Sequence, residues 1–238
     1  MAVAFKNAGA LAANATTVTL ACVAPSGIVA DDIMICAIME KANQVISPPD
    51  GTWTKFVEVN NTANQRLTLA WKRAAGTESG GTFNFTKPVD NNLLFIGVIS
   101  VWSGCKVGAT PIDASAPTTS PNASSDTVTY ATFDPTETAA HVVAVGCYNN
   151  DLTTAGAIAG TDPAFATRWD LESGTGTDGS LFGYSGSSTG AATGARSHST
   201  TSTADDVNIG ALFGLVEEPP PAGGTSFDPF GTAGLFGM

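Results

Sequence analysis

The run DDIMICAIME at residues 31–40 constrains the fold of this chain more than any other feature. Past its two aspartates it is apolar almost without a break, yet it is short for a core helix. Such a run reads as a strand buried on both faces, inside a sheet that is covered front and back. LLFIGVISVW at 93–102 reads the same way and ends on Trp102. This longest apolar run is about half the ~20 residues a helix needs to span a bilayer, so no membrane span is expected.

The neighbouring segments alternate instead. TVTLACV sets Val18, Leu20 and Cys22 on one face and threonines on the other. RLTLAWK turns Leu67, Leu69 and Trp71 inward, and GGTFNFTK pairs Phe83 with Phe85. SPPDGTW is a turn cluster with Trp53 just behind it. TVTYATF, HVVAVGCY, TRWDLES, SLFGYSG and VNIGALFGLV supply further strands, and DASAPTTSPNASSD reads as a long polar loop. No segment has the period of an amphipathic helix; ETAAHVV makes at most a short turn. About ten to twelve strands separated by turn signals predict an all-β chain, a single jelly-roll-like β-sandwich over residues 1–216. A linker near 105–125 would permit two domains, but the strands on either side are apolar enough to need each other.

Composition narrows the partners. Charged residues make up 13% of the chain, against roughly 25% in ordinary soluble domains, and Gly, Thr, Ser and Ala fill the gap. The formal net charge is −11, and the 10 basic residues form no cluster. Nucleic acid and anionic membranes are both read by clustered Lys and Arg, so neither is an expected partner. The first residues lack a basic n-region and a defined apolar h-region, which predicts synthesis in the cytoplasm without a signal peptide. Cys22, Cys36, Cys105 and Cys147 have no C-x-x-C spacing, and buried free thiols are expected of them.

Candidate chemistry is sparse. Gly186-Ser187-Ser188-Thr189-Gly190 satisfies G-x-S-x-G, but the nucleophile elbow needs a helix after the serine, and AATGARSHSTTST has no helical face. His141 and His198 are the only histidines and lack a second ligand at metal spacing. Asp170 and Glu172, two apart on a strand, share a face and offer a glycosidase-like carboxylate pair, although a solvated edge of an acidic protein is by far the commoner arrangement. The pairs Asp31-Asp32 and Asp205-Asp206 could hold Ca²⁺ with loop carbonyls, although each more simply opens a strand. The expectation is no catalytic residue, no cofactor and no metal.

One ordered series is more specific. DDIMICAIMEKANQVISPPDGTWTKF, RLTLAWKRAAGTESGGTFNFT, VISVWSGCKVGATPIDASA and HVVAVGCYN together resemble a β-sandwich module of tailed-phage virion proteins, also found in some bacterial surface proteins. Trp53, Trp71, Lys72, Ala74, Phe85, Ser103, Gly104, Pro111, Ile112 and Asp113 match the module. Asp31 stands where the module has glycine, Thr52 is an extra residue before Trp53, and Cys105-Lys106 replaces Val-Asp. The resemblance covers roughly residues 15–150 and implies a virion structural protein, a head decoration or cement protein bound to other virion proteins, the major capsid protein foremost.

The chain then ends in EEPPPAGGTSFDPFGTAGLFGM. The prolines make a stiff spacer, and Phe227, Phe230, Leu235, Phe236 and Met238 are apolar anchors on a backbone loosened by glycine. Residues 217–238 therefore read as an extended arm that docks on a neighbouring subunit; the alternative is that it covers an edge of its own sandwich. A homo-oligomer is expected, with a trimer as one arrangement. A second reading makes the protein a tail-fibre or receptor-binding module, with Trp169 or Tyr184 stacking on host glycan.

Overall fold

The structure, a computed structural model, describes residues 1–61, 65–137, 140–149, 156–158, 162–173, 179–199 and 206–219. Every regular element among them is a strand. The first half of the chain carries β1 (Ala4–Ala8), β2 (Ala12–Asn14), β3 (Thr19–Val23), β4 (Ala30–Glu40), β5 (Thr54–Asn61), β6 (Gln65–Ala75), β7 (Thr82–Thr86) and β8 (Phe95–Ser103). The second carries β9 (Thr118–Ser125), β10 (Thr127–Tyr130), β11 (His141–Tyr148), β12 (Ala166–Glu172), β13 (Ser180–Ser187), β14 (Arg196–Ser199) and β15 (Asp206–Leu215).

Each half builds its own antiparallel sheet, in the order β1-β8-β4-β6-β5 with β2 beside β8, and β12-β13-β11-β15-β9. The two sheets pack face to face. Ile35, Ala37, Met39, Leu69 and Val98 from the first meet Val143, Val145, Leu181, Ala211 and Phe213 from the second in one apolar core. The outer face of each sheet is covered as well. The β3–β7 ribbon lays Leu20, Cys22 and Phe85 over Met34, Cys36 and Ile38. The β10–β14 ribbon and Phe133 cover Val142, Ala144 and Leu212 on the other side. This double covering is why β4 and β8 are apolar on both faces, as their sequences require. The all-β sandwich is as expected; jelly-roll connectivity is not established by the strand order.

The two halves are versions of one plan. Reading β1 as β9, β3 as β10, and β4 through β8 as β11 through β15 turns one strand order into the other, outer ribbon included. The registers agree residue by residue. Ala37 sits between Leu69 and Val98, and Val145 sits between Gly183 and Ala211. The edge strand of each sheet bulges at the same place, between Lys55 and Val57 and between Thr167 and Trp169. The turn after β6 has Gly76 and Gly80 at φ 92° and 70°; the turn after β13 has Gly190 and Gly194 at 91° and 67°. Gly97 and Gly210 occupy equivalent positions for one reason: a Cβ on either would strike the covering ribbon, Leu20 and Cys22 in one case and Thr129 and Tyr130 in the other. Across the core β5 lies against β9 and β1 against β12, so the halves are related as by a two-fold axis.

Two expectations need correction. DASAPTTSPNASSD is not a loop throughout, since residues 118–125 form the edge strand β9. Its hydroxyl side chains hide no alternation, and Pro121 is tolerated because an edge strand pairs on one side only. Trp71, expected deep in the core, is half-buried at the rim, whereas Trp53 and Trp102 are buried. It shares a face with Leu67 and Leu69 and packs against the same core only in part, at the position that Ser185 holds in the second sheet.

Candidate functional site

The polar groups that sequence reading singled out for chemistry are engaged within the fold. His141 opens β11 and is buried. Its Nε2 lies 2.9 Å from the Ser185 hydroxyl and its Nδ1 lies 3.3 Å from that of Ser187. Ser185 also accepts a hydrogen bond from Arg168 Nε at 2.7 Å, and the guanidinium lies over the Phe5 ring. Burial, with the Arg168 charge adding to it, lowers the His141 pKa to about 4. A neutral imidazole beside a serine resembles a base–nucleophile pair, but Ser185 is fully buried and lines neither of the two recesses described below. His198 sits in the outer ribbon among Tyr130, Phe182 and Tyr184, and burial lowers its pKa to about 4 as well. Ser188 is buried and donates to the Ala191 carbonyl in the turn after β13, where no helix follows.

The carboxylates divide in the same way. Asp32 is buried and accepts from Lys6 Nζ at 2.6 Å and from the Val29 amide at 2.9 Å. Asp31 forms the bulge that opens β4, with φ 68°. Asp206 opens β15, and Asp205 lies outside the described residues. Asp170 and Glu172 lie on the edge strand β12. Among the described residues no group of three or more metal-binding side chains converges, and no helix is long and apolar enough to cross a membrane. All four cysteines are free and buried.

The glycan-stacking candidates are core residues, which corrects the expectation that they face solvent. The bulge at Arg168 turns Trp169 inward over Gly183, where its indole lies near the Phe5 ring. Tyr184 points to the other face of the same sheet, is fully buried, and donates its hydroxyl to the Gly156 carbonyl at 2.7 Å. Neither ring presents a face to a sugar. The arm residues Phe227, Phe230, Leu235, Phe236 and Met238 lie outside the described residues.

The module-like residues turn out to be braces. Asp113 accepts from the Ser115 amide and from the Thr136 amide and hydroxyl through Oδ1, and from the Glu137 amide through Oδ2. Those bonds outweigh its burial and hold its pKa below the usual carboxylate range. Lys72 pairs with Glu78 at 3.4 Å and lies over the Phe83 ring. A side chain on Gly104 would run into the Ala2 carbonyl.

One of the two recesses among the described residues is apolar. A cleft of about 270 Å³ opens at one end of the sandwich, lined by Met1, Val29, Ala30, Ser103, Cys105 and Val107, with Glu218 at its rim. Met1, Val29 and Val107 are 77%, 56% and 46% exposed, so three large apolar side chains meet water around one recess. The rim is held firmly. Lys106 donates to the Val216 carbonyl and Glu218 to the Gly104 carbonyl, both at 2.9 Å, and Cys105 pairs with Glu217. The Val107 amide donates to the Glu218 carboxylate. Burial raises the Cys105 thiol to about 12, so it contributes bulk here and no nucleophile. A second recess of about 300 Å³, bordered by Glu58, Asn60 and Thr119, runs between the edges of β5 and β9. Sequence reading missed the first cleft because single valines in turns carry no period. The available signal was their position beside Gly27 and Gly108, both at positive φ.

No family model, curated protein or solved structure matches the chain.

Proposed function

We propose that the chain is a non-enzymatic structural subunit of a tailed-phage virion, a head decoration or cement protein whose sandwich is the body and whose residues 217–238 are an arm to neighbouring virion proteins. The observation that carries this reading is a contrast. The histidines, Ser185, Ser188, Asp32 and Asp113 are held by internal hydrogen bonds, while three exposed large apolar side chains, Met1, Val29 and Val107, border one cleft beside Glu218, where the arm begins. Such a distribution suits a protein that acts by contact. Doubly covered sheets suit a body that keeps its shape under load, because both faces of each are close-packed. The resemblance of Trp53, Trp71-Lys72, Ser103-Gly104 and Pro111-Ile112-Asp113 to a phage virion module supplies the setting, and the capsid surface with the major capsid protein is the natural location and partner.

The test is a truncation ending at Pro219, produced during particle assembly beside the full chain. Copies per purified particle are counted, and the melting temperature of each free protein is measured. The expected result is an unchanged melting temperature with incorporation lost. Incorporation at the full-length level would overturn the arm's role, and a lowered melting temperature alongside it would mean that the arm covers its own sandwich.

A further inference from the structure

From the geometry at the arm's root we infer that the cleft at Met1, Val29 and Val107 is the seat of Phe227 and Phe230 from a second copy of this chain. The inference rests on the reading of residues 217–238 as a docking arm and names its receptor. Three observations bear on it.

The first is the chemistry of the recess. Its floor and walls are Val29, Ala30, Cys105 and Val107 around about 270 Å³ of space, and Met1, Val29 and Val107 stand exposed beside it. The second is the chemistry of the segment. Between residues 220 and 238 the sequence carries three phenylalanines, a leucine and a methionine, and its only charged side chain is Asp228. That charge lies between Phe227 and Phe230 and faces a recess bordered by Asp31, Asp32 and Glu218, so burial of the two rings has to outweigh the repulsion.

The third is where the segment starts. The described chain ends at Pro219, one residue past Glu218 on the rim of the cleft. In the sequence three prolines precede the first glycine, and proline-rich chain favours an extended course of about 3 Å per residue. Phe227 lies nine residues beyond Glu218, a reach of up to roughly 30 Å. That span is right for a cleft on a neighbour. Because root and receptor adjoin, two copies related by a two-fold axis can exchange arms reciprocally, each arm crossing into the other's cleft.

The experiment measures the mass of the full chain by light scattering across a concentration series. Variants are Val107→Asp in the cleft, at an exposed position that leaves the fold intact, and Phe227→Asp with Phe230→Asp in the arm. The wild type is expected to self-associate, and each variant to weaken association by roughly 10- to 100-fold, the loss for exposing one buried apolar side chain. A mixture of the cleft variant with the arm variant retains one intact arm and one intact cleft per pair, and it should form heterodimers that neither forms alone. A wild type that stays monomeric throughout would overturn the proposal. So would association that the variants leave unchanged. A monomer whose arm becomes protease-sensitive on Val107→Asp would place the chain's own arm in the cleft and likewise overturn the second-copy assignment. Failure here combined with loss of truncated chains from particles would leave the virion reading standing, since the arm would then dock on another protein.

Discussion

His198→Phe should halve the loss of stability that this protein suffers on mild acidification. An unperturbed histidine titrates near 6.5, and in the folded chain burial lowers both His141 and His198 to about 4. The unfolded chain therefore takes up protons first as pH falls. Each histidine contributes stability that is full above about 6.5, declines as pH drops toward 4, and is gone below it. Between pH 7 and pH 5 the cost is about 2 kcal/mol per histidine, roughly 4 kcal/mol for the pair. Carboxylates held low, such as Asp113 and Glu78, add their losses only at lower pH. The internal two-fold relation supplies the substitution, because His198 pairs with Val128 as Phe85 pairs with Leu20. A phenylalanine thus fits this layer among Tyr130, Phe182 and Tyr184. It removes the buried His198 Nε2, which has no partner among the described residues, but it also strips the Tyr130 hydroxyl of its 3.3 Å contact. Those two effects oppose each other, so the pH slope is the informative quantity. Urea unfolding followed by tryptophan fluorescence at pH 7, 6 and 5 gives it. A variant slope equal to that of the wild type would refute the argument that His198 stays neutral in the fold.

Three further outcomes are expected. Asp31→Gly should stabilise the protein by about 1 kcal/mol in thermal unfolding, because Asp31 holds φ 68° in the β4 bulge, a region glycine enters without Cβ strain. Lys87→Met should cost roughly 3–5 kcal/mol by leaving Glu40, fully buried 3.8 Å away, without its counter-charge; adding Glu40→Leu should recover part of that in a denaturant titration of the double variant. Trp102→Ala, at a fully buried ring packed on Phe5, should cost about 3–5 kcal/mol, and Trp71→Ala clearly less in the same assay.

The strands with the strongest pattern were the most legible. DDIMICAIME and LLFIGVISVW became β4 and β8 at the centre of the first sheet, because two-sided burial leaves a run that no other element explains. Edge strands were harder to see. β9 is built of Thr, Ser, Pro and Asn with a single Ala, and its strand character lies in backbone pairing to β15 that side chains do not record. Trp169 and Tyr184 misled for a different reason. They stand in a Gly- and Ser-rich stretch that reads as surface, yet the small residues are there to admit them, as Gly183 admits the Trp169 indole. The duplication was written in the sequence but thinly. Asn14-Ala-Thr-Thr answers Asn122-Ala-Ser-Ser, and both asparagines donate to the carbonyl of the threonine that opens the next strand. Asp50-Gly-Thr-Trp53 answers Asp162-Pro-Ala-Phe165, and Gly76 and Gly80 answer Gly190 and Gly194. These matches fall in turns, where small sets of residues recur by chance, and only the shared register makes them decisive. The exposed cleft had no periodic pattern, since its residues come from four separate stretches, at 1, 29–32, 103–107 and 218, and meet only after the sheets have formed.

The pairing of like halves also sets the order of events on the ribosome. β1 to β8 close their own sheet and ribbon, so the first half has its partners once Ser103 has emerged. Its inner face does not. Ile35, Ala37, Met39, Leu69 and Val98 wait for a sheet that ends at Leu215, which takes on the order of ten seconds to synthesise. During that interval a wide oily surface is bare, and the surface that fits it best is the β9–β15 sheet of another copy whose synthesis has passed Leu215. Mispairing between chains is then the characteristic error, giving entangled dimers in which one molecule's first half is closed by another's second. Slow translation across the region after Ser103 would lengthen the exposure and raise the fraction of entangled product, and a chaperone that holds a bare sheet face would lower it.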